Sequence, residues 1–459
     1  MNNTMILKTN IKTKFYWILM LMFISCVFKI DAQNPFINTQ YTADPSARVF
    51  GDRVYVYPSH DILATKDKGR EGWFCMEDYH VFSSENLSDW TDHGIIVQQN
   101  SVPWVLPDSY SMWAPDCIER NGKYYFYFPS KPKDTINYGK GFAIGVAIAD
   151  RPTGPFIPQT NPVKGVRGID PNIFIDKDGQ AYMYWSSGEI FGAKLKENML
   201  ELDSEVMTLG KLPSKGLKEG AYVFERNGIY YLTYPHVENK TERLEYAISD
   251  NPLGPFKVMG TIMDESPTGC WTNHHSIIEF KKQWYLFYHH NDYSPTFDKA
   301  RSIRADTLSF NTDGTIKKVN PTLRGIGITS AIKEIQIDRY SKISEKGISI
   351  AFIDEQDSFK GWKSIFTKAG AWVQYNTVDF GLKPFESVIV KAFSASGGTL
   401  QIRTKGINGV LIAEVKILVS SSWQDIIVPA KKFEEGIQNL YMILLENNKQ
   451  VEIDWISFK

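Results

Sequence analysis

One unit recurs five times along this chain: an acidic or His residue heads a short apolar strand, a polar or Gly-containing turn follows, and a strand dense in Tyr, Phe or Trp comes next. The copies run from Asp44-Pro45 to Val54-Tyr55-Val56-Tyr57, from Pro115-Asp116 to Tyr124-Tyr125-Phe126-Tyr127, and from Asp170-Pro171 to Tyr182-Met183-Tyr184-Trp185. The last two run from Glu219-Gly220 to Tyr230-Tyr231-Leu232 and from His274-His275 to Trp284-Tyr285-Leu286-Phe287-Tyr288. The turns include Asn121-Gly122, Asp178-Gly179 and Asn227-Gly228, which are hairpin signals because a type I′ turn needs positive φ at both central residues. A longer echo, Ala147-Ile148-Ala149-Asp150-Arg151-Pro152-Thr153-Gly154-Pro155-Phe156, returns as Ala247-Ile248-Ser249-Asp250-Asn251-Pro252-Leu253-Gly254-Pro255-Phe256, two units later. Repeats of this size with several short strands each describe propeller blades. The expected fold is all-β: a five-bladed β-propeller over residues 33–338, followed by a second domain.

That second domain, residues 345–459, lacks the repeat and alternates apolar with polar residues, as in Thr399-Leu400-Gln401-Ile402-Arg403, the pattern of an antiparallel β-sandwich of jelly-roll type. The chain has 459 residues, enough for two cores. Lys and Arg total 51 against 52 Asp and Glu, which removes the basic footprint of a nucleic-acid or anionic-membrane binder and favours a neutral partner. Lys8, Lys12 and Lys14 precede an uncharged run from Phe15 to Phe28, too short to span a bilayer but right for a signal-peptide core, so residues 1–32 read as an export leader and no integral span is expected. Cleavage after Ala32 gives a secreted or periplasmic protein; lipidation at Cys26 gives an anchored one. Cys75, Cys117 and Cys270 remain, with no disulfide or zinc spacing.

In a propeller the first strand of every blade lines the central channel, so the repeat heads Asp44, Asp116, Asp170, Glu219 and His274 converge at one mouth. Acids gathered in one pocket repel each other and lose solvation, which points to catalysis rather than stability. Glycosidic hydrolysis needs such a set: one carboxylic acid protonates the leaving oxygen, and a carboxylate activates water or attacks the anomeric carbon. Trp113, directly before Ala114-Pro115-Asp116, is placed to stack on a sugar face.

With these motifs in Thr42-Ala43-Asp44-Pro45-Ser46, Gly168-Ile169-Asp170-Pro171-Asn172 and Lys218-Glu219-Gly220, residues 34–335 resemble glycoside hydrolase family 43. The resemblance implies inverting removal of arabinofuranosyl side chains from arabinoxylan, with β-xylosidase action on xylo-oligosaccharides as the alternative and a catalytically silent sugar binder as the alternative of another class. It implies Asp44 as general base, Glu219 as general acid and Asp170 as the carboxylate that raises the acid's pKa. It further implies substrate contacts from Trp113, Asp116, His275 and Arg301, a calcium ion beside His274, and no organic cofactor. Expected partners are arabinoxylan, xylan, arabinan or their oligosaccharides. The retaining fructan-active propellers are a poor match, since Ile169-Asp170-Pro171 replaces their Arg-Asp-Pro signature. The tail resembles carbohydrate-binding module family 6 through Trp372-Val373-Gln374-Tyr375, Ser422-Trp423-Gln424 and Ile453-Asp454-Trp455, with Trp372 and Trp423 read as core.

Overall fold

The computed structural model describes residues 29–31, 33–210, 212–213 and 215–459. The leader and both candidate processing points, Ala32 and Cys26, lie outside the described residues. Strands dominate, and among the described residues no helix is long and apolar enough to cross a membrane.

Five antiparallel meanders follow in chain order. Blade I contains Tyr41–Phe50, Arg53–Asp61, Asp78–Ser84 and Asp89–Gln98; blade II contains Asp116–Arg120, Lys123–Ser130, Ala143–Ala149 and Ile157–Pro158. Blade III contains Ile169–Ile175, Ala181–Ser186, Ile190–Leu195 and Met207–Thr208; blade IV contains Tyr222–Arg226, Ile229–Val237, Glu242–Ser249 and Lys257–Met263. Blade V contains Ser276–Phe280, Gln283–His290 and Ser302–Leu308. The Asn-Gly pairs turn as their chemistry demands, with φ of 53° and 75° at Asn121 and Gly122, and 55° and 83° at Asn227 and Gly228.

The aromatic strands explain why these sheets assemble as a wheel. Each blade is apolar on both faces, and each face is shared with a neighbour in a separate hydrophobic cluster. Tyr57 and Tyr79 meet Phe126 and Phe128 between blades I and II; Tyr127 and Val146 meet Met183 and Trp185 between II and III. Tyr184 meets Leu232 and Tyr234 between III and IV, and Tyr231 meets Leu286 and Tyr288 between IV and V. The last cluster joins Phe287 and Ile303 of blade V to Val54, Phe82 and Trp90 of blade I, so the ring is closed. The long echo is part of this packing: Tyr57 Oη donates to the Pro152 carbonyl and Tyr184 Oη to the Pro252 carbonyl, both at 2.7 Å. Closure is reinforced by Asn34, whose side chain pairs with both the amide and the carbonyl of Ala305 at the outer edge of blade V.

The second domain is a sandwich. One sheet runs Thr329–Ser330, Trp372–Asp379, Ile437–Leu444, Gly398–Thr404, Val410–Ile417; the other runs Ile348–Phe352, Trp362–Phe366, Val451–Phe458, Ser387–Phe393, Gln424–Pro429. Two short strands ahead of it, Thr329–Ser330 and Ile335–Gln336, pair with sandwich strands. Trp372 and Trp423 are half-buried and outside the sandwich core, which corrects their expected role as core residues. The two domains share an aromatic seam in which Phe359 packs on Tyr41 and Tyr293, and Trp362 packs on Tyr293. Arg339 lies over Trp362 and donates to the Asn34 carbonyl.

Candidate active site

Asp44 and Asp170 occupy equivalent places in the innermost strands of blades I and III. At each the pairing slips, between Ala43 and Ser46 and between Ile169 and Asn172, and the backbone turns left-handed, with φ of 49° at Asp44 and 56° at Asp170. A β-bulge re-aims a side chain, and left-handed backbone at a non-glycine residue, which costs about 1 kcal/mol, is found where function requires it. Here both bulges swing a carboxyl into the channel mouth. Blade IV uses Gly220 at the same place, φ 57°, where a Cβ would lie 2.9 Å from Pro235 Cγ and 3.2 Å from His274 Nδ1. No side chain fits there, so this blade supplies its acid from the preceding residue, Glu219.

Two positions after the bulge, the side chain faces the neighbouring blade instead. Asp116, Asn172 and Ser276 each accept the backbone N–H of the next innermost strand, from Ile173 at 2.7 Å, Val223 at 2.9 Å and Ala47 at 2.9 Å. Asp116 also accepts from Ser46, Arg48 and Asn172 and is buried. It ties three blades together and does not line the pocket, which corrects the expected substrate contact; the counterpart of Asp44 in blade II is Ala114, which does line it. The histidine doublet resolves in the same way. His274 faces the pocket, whereas His275, one residue on and therefore on the opposite face, is buried with Nε2 2.6 Å from Thr233 Oγ1, so His275 is also not a substrate contact.

The cavity measures about 430 Å³, and Asp44, Asp170, Glu219 and Glu242 bring four carboxyl groups to it, against walls formed by Trp73, Phe74, Trp113 and Trp271. Trp113 thus stands where the sequence placed it. Asp44 receives Arg301 Nη1 at 2.8 Å, Arg301 Nη2 at 3.2 Å and Ser59 Oγ at 2.7 Å. Burial alone would raise its carboxyl, but Arg301 above all outweighs burial and holds it at about 2, so Asp44 is an anion across the working pH range. Arg301 lines the pocket, yet its N–H donors go to Asp44, to Asp61 at 2.8 and 2.9 Å, and to Thr272 at 3.3 Å. A guanidinium has five such donors, so Arg301 is committed to holding Asp44 and Asp61 rather than to grasping sugar, a correction to its expected role.

The other carboxyls are pushed the opposite way. Burial, then Glu219 and Asp44, raise Asp170 well above the usual range despite the Gly220 N–H at 3.0 Å. Burial raises Glu219, and burial with Glu219 raises Glu242 further. All three carboxyls are thus shifted toward holding a proton, opposite an ionised Asp44. Two environments that drive carboxyls apart in this way define an acid side and a base side.

Burial holds His274 below its ordinary pKa, so it is neutral, and its Nδ1 lies 4.0 Å from Asp44 Oδ1 and 3.9 Å from Asp170 Oδ1. A free imidazole lone pair beside an excess of carboxyl groups fits a divalent cation ligated by His274, with calcium's preference for oxygen met chiefly by water. Asp61, Glu242 and His289, whose Nδ1 accepts the Asp44 N–H at 3.0 Å, are not signalled by the repeat heads. Asp61 and His289 carry no motif. Glu242 shares the buried face of its strand with Leu244 and Tyr246, and an acid in that phase is a signal.

A propeller whose mouth holds an ionised carboxylate opposite a cluster of carboxyls raised by burial, walled by indoles, is a glycoside hydrolase. The chain belongs to the glycosyl hydrolases family 43, whose profile matches residues 32–316, and residues 343–459 match the carbohydrate binding module (family 6). Xylosidase/arabinosidase 43A of Humicola insolens is 37% identical over 338 residues, 62% of this chain and 99% of that protein. The arabinoxylan arabinofuranohydrolase of Paenibacillus polymyxa is 25% identical over 473 residues, 89% of this chain and 71% of that protein. Among solved structures, a family 43 β-xylosidase/α-arabinofuranosidase from a compost microbial metagenome superposes with a TM-score of 0.56 at 34% identity, covering 64% of this chain and 98% of that one.

Proposed function

We propose that this glycoside hydrolase is exported and removes α-L-arabinofuranosyl side chains from arabinoxylan with inversion of configuration. The observation that carries the reading is the split between Asp44, held ionised by Arg301, and Asp170, Glu219 and Glu242, whose carboxyls burial pushes upward, around one cavity. In the reaction the bond between the anomeric carbon and the leaving oxygen breaks, its electron pair goes to that oxygen, and Glu219 supplies the proton. Water attacks the anomeric carbon from the other side and gives its proton to Asp44. Asp170 orients the backbone of the acid through the Gly220 N–H and keeps negative charge near Glu219 unfavourable. A calcium ion at His274 would lessen the repulsion between Asp44 and Asp170; no step passes through it.

Arabinoxylan as substrate is supported by the second domain, whose family binds carbohydrate, and by the two-domain relative from Paenibacillus polymyxa. A second reading, release of β-xylosyl units from xylo-oligosaccharides, is favoured by the names of the Humicola insolens relative and of the metagenomic structure. Export rests on the leader of residues 1–32. The test is to incubate the enzyme with arabinoxylan and with xylobiose and follow the first-formed sugar by proton NMR. Release of arabinose with the inverted anomer is expected; release of xylose alone replaces the first reading by the second, and a retained anomer overturns the mechanism.

A further inference from the structure

Glu242 stands at the start of the third strand of blade IV, 1% exposed, in the wall of the cavity. Its backbone and one oxygen are fixed: the Glu242 N–H donates to the Trp271 carbonyl at 2.9 Å and Oε2 accepts the Asn273 N–H at 2.7 Å. The other oxygen, Oε1, is buried and meets no N–H or O–H donor among the described residues. A buried carboxylate oxygen without a donor costs several kcal/mol by general experience, and native proteins rarely leave one so. The Glu242 carboxyl lines the same cavity as the Glu219 carboxyl and is within hydrogen-bonding reach of it. Two carboxyls in contact do not both ionise, and a proton on Glu242 makes it the donor toward Glu219, which carries its own proton before the reaction.

We infer that Glu242 is a positioning residue for the general acid: as a neutral carboxylic acid it donates a hydrogen bond to Glu219 and takes up the charge that appears there when the leaving oxygen is protonated. This rests on the reading of Glu219 as the acid. The proton on Glu219 departs with the sugar's leaving group, the Glu219 carboxylate remains, and the Glu242 O–H, already in contact, stabilises it without any rearrangement. Such a bond, made to a charge that exists only late in the reaction, lowers the barrier rather than strengthening substrate binding. The backbone clamp from Trp271 and Asn273 keeps the donor aimed whether or not the site is filled.

The test uses the full chain and two substrates: a 2,4-dinitrophenyl glycoside, whose leaving group departs without a proton, and arabinoxylan or xylobiose, whose leaving groups need one. Glu242→Gln keeps both the acceptor for Asn273 and an N–H donor for Glu219, and is expected to hold kcat within about threefold on both. Glu242→Leu removes the donor and is expected to lower kcat about 10- to 100-fold on the unactivated substrate, with KM little changed, and less than about threefold on the dinitrophenyl glycoside. Equal losses on both substrates for Leu, or a Gln variant as slow as Leu, overturn the inference. Should Glu242→Leu not fold, Glu242→Ala, which lets water reach the Asn273 N–H, takes its place with the same expected split. Glu219→Gln is run alongside: if that variant shows no leaving-group dependence, it is the acid assignment that fails, whatever Glu242 does.

Discussion

Replacing Arg301 by Met removes the cation that faces the base. In the native protein Asp44 lies at about 2 against an ordinary 3.8, although burial, the largest single influence on it, pushes upward. Holding the carboxyl at about 2 is worth about 2 kcal/mol, and its sign is fixed: a lowered carboxyl pKa contributes stability that is present above 3.8 and lost as pH falls through about 2. Without Arg301 the leading downward influence is gone, and burial, opposed only by Ser59 and the two neighbouring histidines, carries Asp44 upward from about 2. The acidic limb of kcat/KM on a nitrophenyl glycoside, out of reach in the native enzyme, is expected to move up in pH into the measurable range. Asp61 loses its partner too, and leaving buried carboxylates uncompensated costs about 3–5 kcal/mol, read as a lower denaturant midpoint. A folded Arg301→Met variant that keeps full activity to the lowest pH it survives would refute the claim that the guanidinium ionises the base.

Glu219→Gln should leave the fold intact and lower turnover of arabinoxylan by about 10²- to 10⁴-fold, the usual contribution of a general acid; near-native rates would remove the assignment. Asp116→Asn should behave in the opposite way, losing about 3 kcal/mol of stability in urea because Arg48 is left buried without its full partner, while kcat and KM of the folded enzyme stay unchanged. A tenfold fall in kcat without loss of stability would return Asp116 to the site. If calcium sits at His274, chelation followed by calcium titration should lower and restore kcat/KM in the native protein but not in His274→Ala; an identical response in both places any ion elsewhere.

The wheel was legible because it is written locally. Asn121-Gly122 and Asn227-Gly228 carry their turn geometry in their own chemistry, and the aromatic strands after them need two apolar neighbours each, which only a closed ring provides. The Lys281-Lys282 turn has the same left-handed backbone, φ 50° and 66°, without a glycine, and no local rule announces it; Lys281 is held there by the Glu85 carbonyl of the neighbouring blade. Asp61 and Glu242 come from the second and third strands of their blades, whose phase relative to the channel is not fixed by any turn in the sequence. The heads were read in one frame when they occupy two, and the reason is proline. In Asp44-Pro45 and Asp170-Pro171 the residue after the acid has no N–H, so the ladder breaks around the acid and the bulge turns it inward. In Pro115-Asp116 the order is reversed. Asp116 then sits inside the ladder, directly opposite Tyr127, where its carboxyl serves the neighbouring blades. Among the heads that carry a proline, the order of the two residues, rather than the presence of the acid, separates a pocket-facing head from a structural one.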